Sequence, residues 1–241
     1  MAETIDHVPN RAAFPSRVGP EGFEFPACKK CQSFLRLEEL FFAFFVRLSD
    51  RDTSNYDQLT SKRLIEGVRN NLPELFPSTQ ISAIQKRKAL RAFGVEKPTN
   101  RPLSDIPMAS FPSEIDSVLK KVIIKIGLAL FYKHKNKIAS LSHLACAFWT
   151  QDSDKKTLKN WEKIAQELSG FNTGSRKNVN LGNRFVYAWE VQEAGKPDIF
   201  VVVIQFGLGL VACAMICDAS LWSEEEVPEG WISVEQWLMN S

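Results

Sequence analysis

Three groups of residues near the start of this chain have types and spacing that could do chemistry. Asp6 and His7 are adjacent, Cys28 and Cys31 flank Lys29-Lys30, and Glu38-Glu39 follow a few residues later. An imidazole can move a proton near neutral pH. Two thiolates three residues apart can grip one zinc ion, because the turn between them aims both sulfurs at a shared point. Carboxylates suit hard divalent cations. All of these residues lie between Ile5 and Leu48. Together they are the vocabulary of a small metal-centred unit.

Each group also has an ordinary reading. A structural zinc ion takes about four ligands, and one Cys-x-x-Cys supplies two. Cys28 and Cys31 could also be plain cysteines at a turn, or a redox pair whose thiol pKa values are lowered by Lys29 and Lys30. Glu38 and Glu39 could be the polar edge of a helix. Cys213 and Cys217 fall in an expected strand, where four residues span about 13 Å, too far to chelate together. His143 and Cys146, three apart in an apolar stretch, read as core residues. No Gly-rich phosphate loop, Ser-His-Asp set or dinucleotide fingerprint is present.

The elements that must position these groups follow from periodicity and turn residues. Pro9 pushes His7-Val8 toward extended backbone. Pro15, Gly19, Pro20 and Gly22 mark turns before a second extended piece at Phe23–Phe25. The knuckle then stands at the entrance of a helix expected from Phe34 to Leu48, with Phe34, Leu37, Phe41, Phe44 and Leu48 on its apolar face. A polar loop is expected over Ser49–Asp57. Helices are expected over Tyr56–Leu75 and Ser78–Phe93, then a proline-rich linker or wrapped loop over 96–113. A helix capped by Ser113 should run to about His134, burying Ile115, Val118, Leu119, Val122, Ile126 and Leu130. Further helices are expected over Leu141–Thr150 and Lys155–Leu168. The pattern then changes: Arg184–Glu193, Ile199–Phe206 and Leu208–Cys217 read as a three-strand antiparallel meander, split by Gly195-Lys196-Pro197 and Gly207. The tail Trp231–Met239 reads as a short helix or packed extension. Helices followed by strands, without βαβ alternation, point to an α+β fold with a helical middle region and a C-terminal antiparallel β meander.

Composition bounds the rest. The five cysteines are an odd number with one tight knuckle, which favours a reducing, cytoplasmic setting over a disulfide framework. The N-terminus lacks the basic and apolar regions of a signal peptide. The run Val122–Tyr132 is too short for a membrane span and carries Lys125; Phe200–Ile216 is broken by Gly207 and Gly209. A net charge of +2 excludes neither nucleic acid nor an apolar partner, since local clustering decides. Lys86-Arg87-Lys88 with Arg91, Lys133–Lys137 and Arg176-Lys177 are candidate phosphate-contacting clusters or merely solvated faces. Oligomeric state is not legible.

The order Asp6-His7-Val8-Pro9-Asn10-Arg11-Ala12-Ala13-Phe14, then Phe25-Pro26-Ala27-Cys28-Lys29-Lys30-Cys31-Gln32, then Leu37-Glu38-Glu39 resembles the HNH endonuclease superfamily. The bacterial HNH-like proteins with a [DE]HxPP…P[AS]CxxCN pattern are the nearest match in spacing. The resemblance covers about residues 3–50 and says nothing of 51–241. Asn10 stands where the second proline is usual, and Gln32 where asparagine is. The resemblance implies a ββα-metal unit over 1–50 that hydrolyses nucleic-acid phosphodiesters, DNA above all, beside a scaffold over 51–241. His7 would be the general base. Asp6 would ligate Mg²⁺ or Mn²⁺ together with Glu38 or Glu39. Cys28 and Cys31 would be half of a structural Zn site. The other cysteine pair is expected about a dozen residues before Asp6, upstream of Met1. Arg11, Lys29, Lys30, Lys86, Arg87 and Lys88 would meet the nucleic acid. The competing expectation is a catalytically inactive nucleic-acid-binding or interaction protein that keeps the knuckle as a relic.

Overall fold

The computed structural model describes residues 4–50, 58–92, 102–105, 108–151, 155–173, 181, 184–191, 198–223 and 226–240. The chain opens with a two-stranded antiparallel hairpin, β1 (Thr4–His7) and β2 (Glu24–Ala27), in which Asp6 faces Phe25 and His7 faces Glu24. Two short 3₁₀ turns, Arg11–Ala13 and Pro15–Arg17, fill the connection. A one-turn helix α1 (Lys29–Ser33) leads into α2 (Arg36–Ser49). Strand, strand and helix therefore follow one another as the sequence suggests. The burial of α2 differs from the expected stripe, however. Phe41 to Val46 are buried on every side of the helix, whereas Leu37 and Leu48 are exposed. A helix enclosed by neighbours has no polar face over its central turn.

Helices α3 (Gln58–Asn71) and α4 (Ala83–Ala92) follow. Ser82 and Gln85 exchange hydrogen bonds in the capping-box manner, which starts α4 later than Ser78. The long helix α5 (Ile115–Lys135) ends on Asn136 in the left-handed conformation. Its N-cap is Glu114, and Ser113 instead donates its hydroxyl to the Glu114 carboxylate. Ser49 of the expected polar loop ends α2, and the rest of that loop over 51–57 lies outside the described residues, as do 96–101 and 106–107 of the proline-rich stretch, Arg176-Lys177 and Gly195–Pro197.

The sheet is larger than a three-strand meander. Strands β3 (Leu144–Gln151), β4 (Gly170–Thr173), β5 (Phe185–Val191), β6 (Ile199–Phe206), β7 (Leu210–Cys217) and β8 (Ile232–Ser233) form one antiparallel sheet in the order β4-β5-β6-β7-β3-β8. The expected helix over Leu141–Thr150 is β3. Its first four residues are buried on both faces, so period-two alternation disappears and the run cannot be told from a buried helix. His143 and Cys146 consequently lie at a strand, both buried. Helix α6 (Lys155–Glu167) precedes β4, and α7 (Val234–Met239) closes the chain on a Ser233/Gln236 capping box. The indole of Trp237 donates to the Lys121 carbonyl and pins this tail on α5.

One core joins the parts. α2 packs on α5, and α5 lies on β3 and β7. The hairpin contributes Phe23, whose ring meets those of Phe185 and Tyr187 edge-on at 5.1 and 5.9 Å. Gly127 permits the close approach of α5, since a Cβ there would stand 2.5 Å from that of Ala214. At the far end of α5, Lys135 and Lys137 grip Asp198 at 2.9 and 2.6 Å. Hydrogen bonds from Lys137 and then Lys135 hold the Asp198 carboxyl down at about 2.

Gly127→Val should overpack the α5–β7 contact and cost about 1–3 kcal/mol by urea denaturation. Because the folded Asp198 pKa lies below its ordinary 3.8, its contribution is present above that value and lost as pH falls toward 2. The stability gap between wild type and Asp198→Asn should therefore be constant near neutrality and close in acid.

Candidate functional site

The hairpin and α2 bring Asp6, His7 and Glu39 to one place, and α5 adds a residue the motif does not contain. Lys125 extends its ammonium between the two carboxylates, 2.7 Å from Asp6 Oδ2 and 2.6 Å from Glu39 Oε1. The side chains of Lys125, Asp6 and Glu39 are 9%, 12% and 6% exposed. Such short contacts are charge-assisted hydrogen bonds. Burial pushes the Glu39 carboxyl up more than the Lys125 ammonium draws it down, and neighbouring Asp6 pushes the same way. For Lys125, burial favours the neutral amine, but Glu39 and Asp6 together outweigh it and hold the ammonium above the ordinary lysine value. A buried cation shared by two acids is the result.

His7 stays half-exposed beside this bridge. Its Nδ1 lies 3.7 Å from Glu24 Oε1, the cross-strand neighbour, which also takes the Arg11 guanidinium at 3.4 Å and the Gly22 amide at 3.1 Å. Glu24 is thus held by the Arg11 guanidinium and the Gly22 amide, with the His7 imidazole beside its carboxylate. A cleft of about 580 Å³ opens in front, lined by His7, Asn10, Arg11, Arg17, Arg36 and Glu39 among others. Ser16 and Arg17 both take positive φ, 52° and 57°, uncommon for residues with a Cβ. The cleft shares Asn10, Arg17, Ser33 and Arg36 with a neighbouring one of about 970 Å³ that reaches α3 at Arg63.

The two positions that depart from the HNH-like pattern are held in place. Asn10 accepts from the Ala12 amide, and its side chain helps draw the Glu39 carboxyl down. Gln32 donates to the Ile5 carbonyl and accepts from the Thr4 hydroxyl, tying α1 to β1. Glu38 does not join Asp6; it points to Lys121 at 4.0 Å. Cys28 is half-buried just before α1, and Cys31 lies in α1 with its side chain outside the described residues. Among the described residues no group of three His, Cys, Asp or Glu could hold a metal ion. The carboxylate pair does not fit a divalent cation as it stands, because the ammonium fills the space between the acids. Lys29, Lys30, Arg87 and Lys88 are exposed, but Lys86 is buried and cannot meet a polyanion at the surface.

In the sequence Lys125 is marked as the lone charge in an apolar helical run, a signal that excludes a membrane span but names no partner. Arg17 and Arg36 carry no motif. Comparison with protein-family models, with curated proteins and with solved structures returns no match. No helix among the described residues is long and apolar enough to cross a membrane.

Breaking the bridge from its centre leaves two buried acids without a counter-ion. Lys125→Met should cost about 3–5 kcal/mol by urea denaturation. Adding Asp6→Asn and Glu39→Gln should return much of that loss, since the coupling lies within the triad.

Proposed function

We propose that residues 4–50 form an HNH-like ββα unit whose His7 cleft receives a phosphodiester of nucleic acid, DNA in the first instance. One observation carries this reading: a half-exposed imidazole, backed by a fixed carboxylate, stands in a cleft with the guanidiniums of Arg11, Arg17 and Arg36. Guanidinium forks match phosphate oxygens, and three in one cleft favour an anionic ligand. In hydrolysis His7 would take the proton of a water as its oxygen bonds to phosphorus. The ester P–O bond then breaks, its oxygen takes a proton from solvent, and Arg17 and Arg36 carry charge on the free phosphate oxygens. In this reading Cys28 and Cys31 would supply two of the four ligands of a structural zinc ion. No step is assigned to Mg²⁺ or Mn²⁺, since Lys125 stands between the carboxylates that would hold it.

That same lysine favours a second reading, in which the cleft binds nucleic acid without cutting it. Plasmid nicking separates the two. Wild type should nick and His7→Ala should not, with or without added Mg²⁺ or Mn²⁺; equal activity in both, or none in either, rules out hydrolysis through His7. Binding is read independently. Arg17→Ala/Arg36→Ala should weaken DNA binding and flatten the slope of log K against log salt by about 1.8, at roughly 0.9 for each phosphate no longer neutralised. An unchanged slope would remove the cleft from the binding surface.

A further inference from the structure

Lys125 comes from the middle of α5, where its sequence neighbours Ile123, Ile124 and Ile126 are all buried. A lysine in such a position loses hydration, and a well-packed apolar residue would often serve stability as well or better. It stands where it meets two acids from two other elements, Asp6 of β1 and Glu39 of α2. Hydrogen bonds of 2.7 and 2.6 Å place the ammonium as close to both carboxylates as such bonds allow. A divalent cation ligated by the same oxygens would stand about 2.0–2.6 Å from each. It would need the volume that Nζ fills. One site cannot hold both.

We infer that the Asp6–Glu39 pair is a cation site whose resident cation is the Lys125 ammonium, so that the His7 cleft operates without a divalent ion there. The choice of competing cation rests on the HNH-like reading, but the site itself rests on these contacts. The lysine supplies one positive charge and rigid attachment to α5, and it cannot be removed by chelation. It acts as a positioning residue: it fixes Asp6, hence the end of β1, and Glu39, whose Asn10 partner shapes the cleft wall.

Mn²⁺ titration of the intact chain, followed by the paramagnetic resonance signal of free Mn²⁺, tests this apart from any nuclease activity. Wild type should show no Asp6-dependent Mn²⁺ site at millimolar metal, and its melting temperature should be the same in MnCl₂ and EDTA. Lys125→Ala should gain a single Mn²⁺ site that Asp6→Asn abolishes, and its melting temperature should rise with MnCl₂. An Asp6-dependent site in wild type overturns the inference, as does a folded Lys125→Ala variant that gains none. Should Lys125→Ala not fold in EDTA, the wild-type titration decides alone, because it needs no variant of Lys125. Failure of the nicking test with an unoccupied wild-type site would sink hydrolysis and leave this inference standing.

Discussion

The ammonium of Lys125, held between the carboxylates of Asp6 and Glu39, is the contact on which the arrangement of the N-terminal unit depends. It joins three elements that are far apart in sequence: the first strand, the first long helix and the central helix α5. Each of the three side chains would be costly to bury alone, and together they are tolerable only because the geometry is close. The bridge therefore specifies position more than it adds stability. A hairpin of four residues per strand is marginal by itself, and here it is tied to a helix that runs through the core.

The cleft inherits its order from that tie. With Asp6 fixed, His7 falls at the mouth and faces Glu24 across the ladder, so the imidazole has a defined partner on one side and open space on the other. Asn10 connects the bridge to the turn that carries Arg11, and the positive-φ pair Ser16-Arg17 brings a second guanidinium to the same cleft. Acids sit beneath and bases around the rim. Lys125 offsets one of the two carboxylate charges beneath that rim.

Much of the architecture is legible in the sequence because its signals are local. Turn prolines and glycines separate β1 from β2, helical periodicity marks α3 and α5, and Val/Ile/Phe runs mark β5 to β7. Pattern is lost where tertiary burial erases it. Leu144 to Ala147 are buried on both faces, so β3 reads as helix, and Phe41 to Val46 are enclosed, so the buried surface of α2 is wider than its sequence stripe. The site shows the same division. Asp6, His7 and Glu39 can be picked out by spacing, but the choice of Glu39 over Glu38 needs the structure. Lys125 cannot be assigned from sequence, since its partners lie 119 and 86 positions away. Gly209 is a similar case: a Cβ there would stand 1.8 Å from the Ser49 carbonyl, a long-range constraint with no local signature.

The central claim is that a lysine, not a divalent ion, is the cation between Asp6 and Glu39. A crystal structure of the protein grown in MnCl₂, with anomalous data collected at the manganese edge, tests it most directly. The expected result is Lys125 Nζ within hydrogen-bonding distance of both carboxylates and no anomalous peak between them. A manganese peak ligated by Asp6 and Glu39, with the Lys125 side chain displaced, would contradict it.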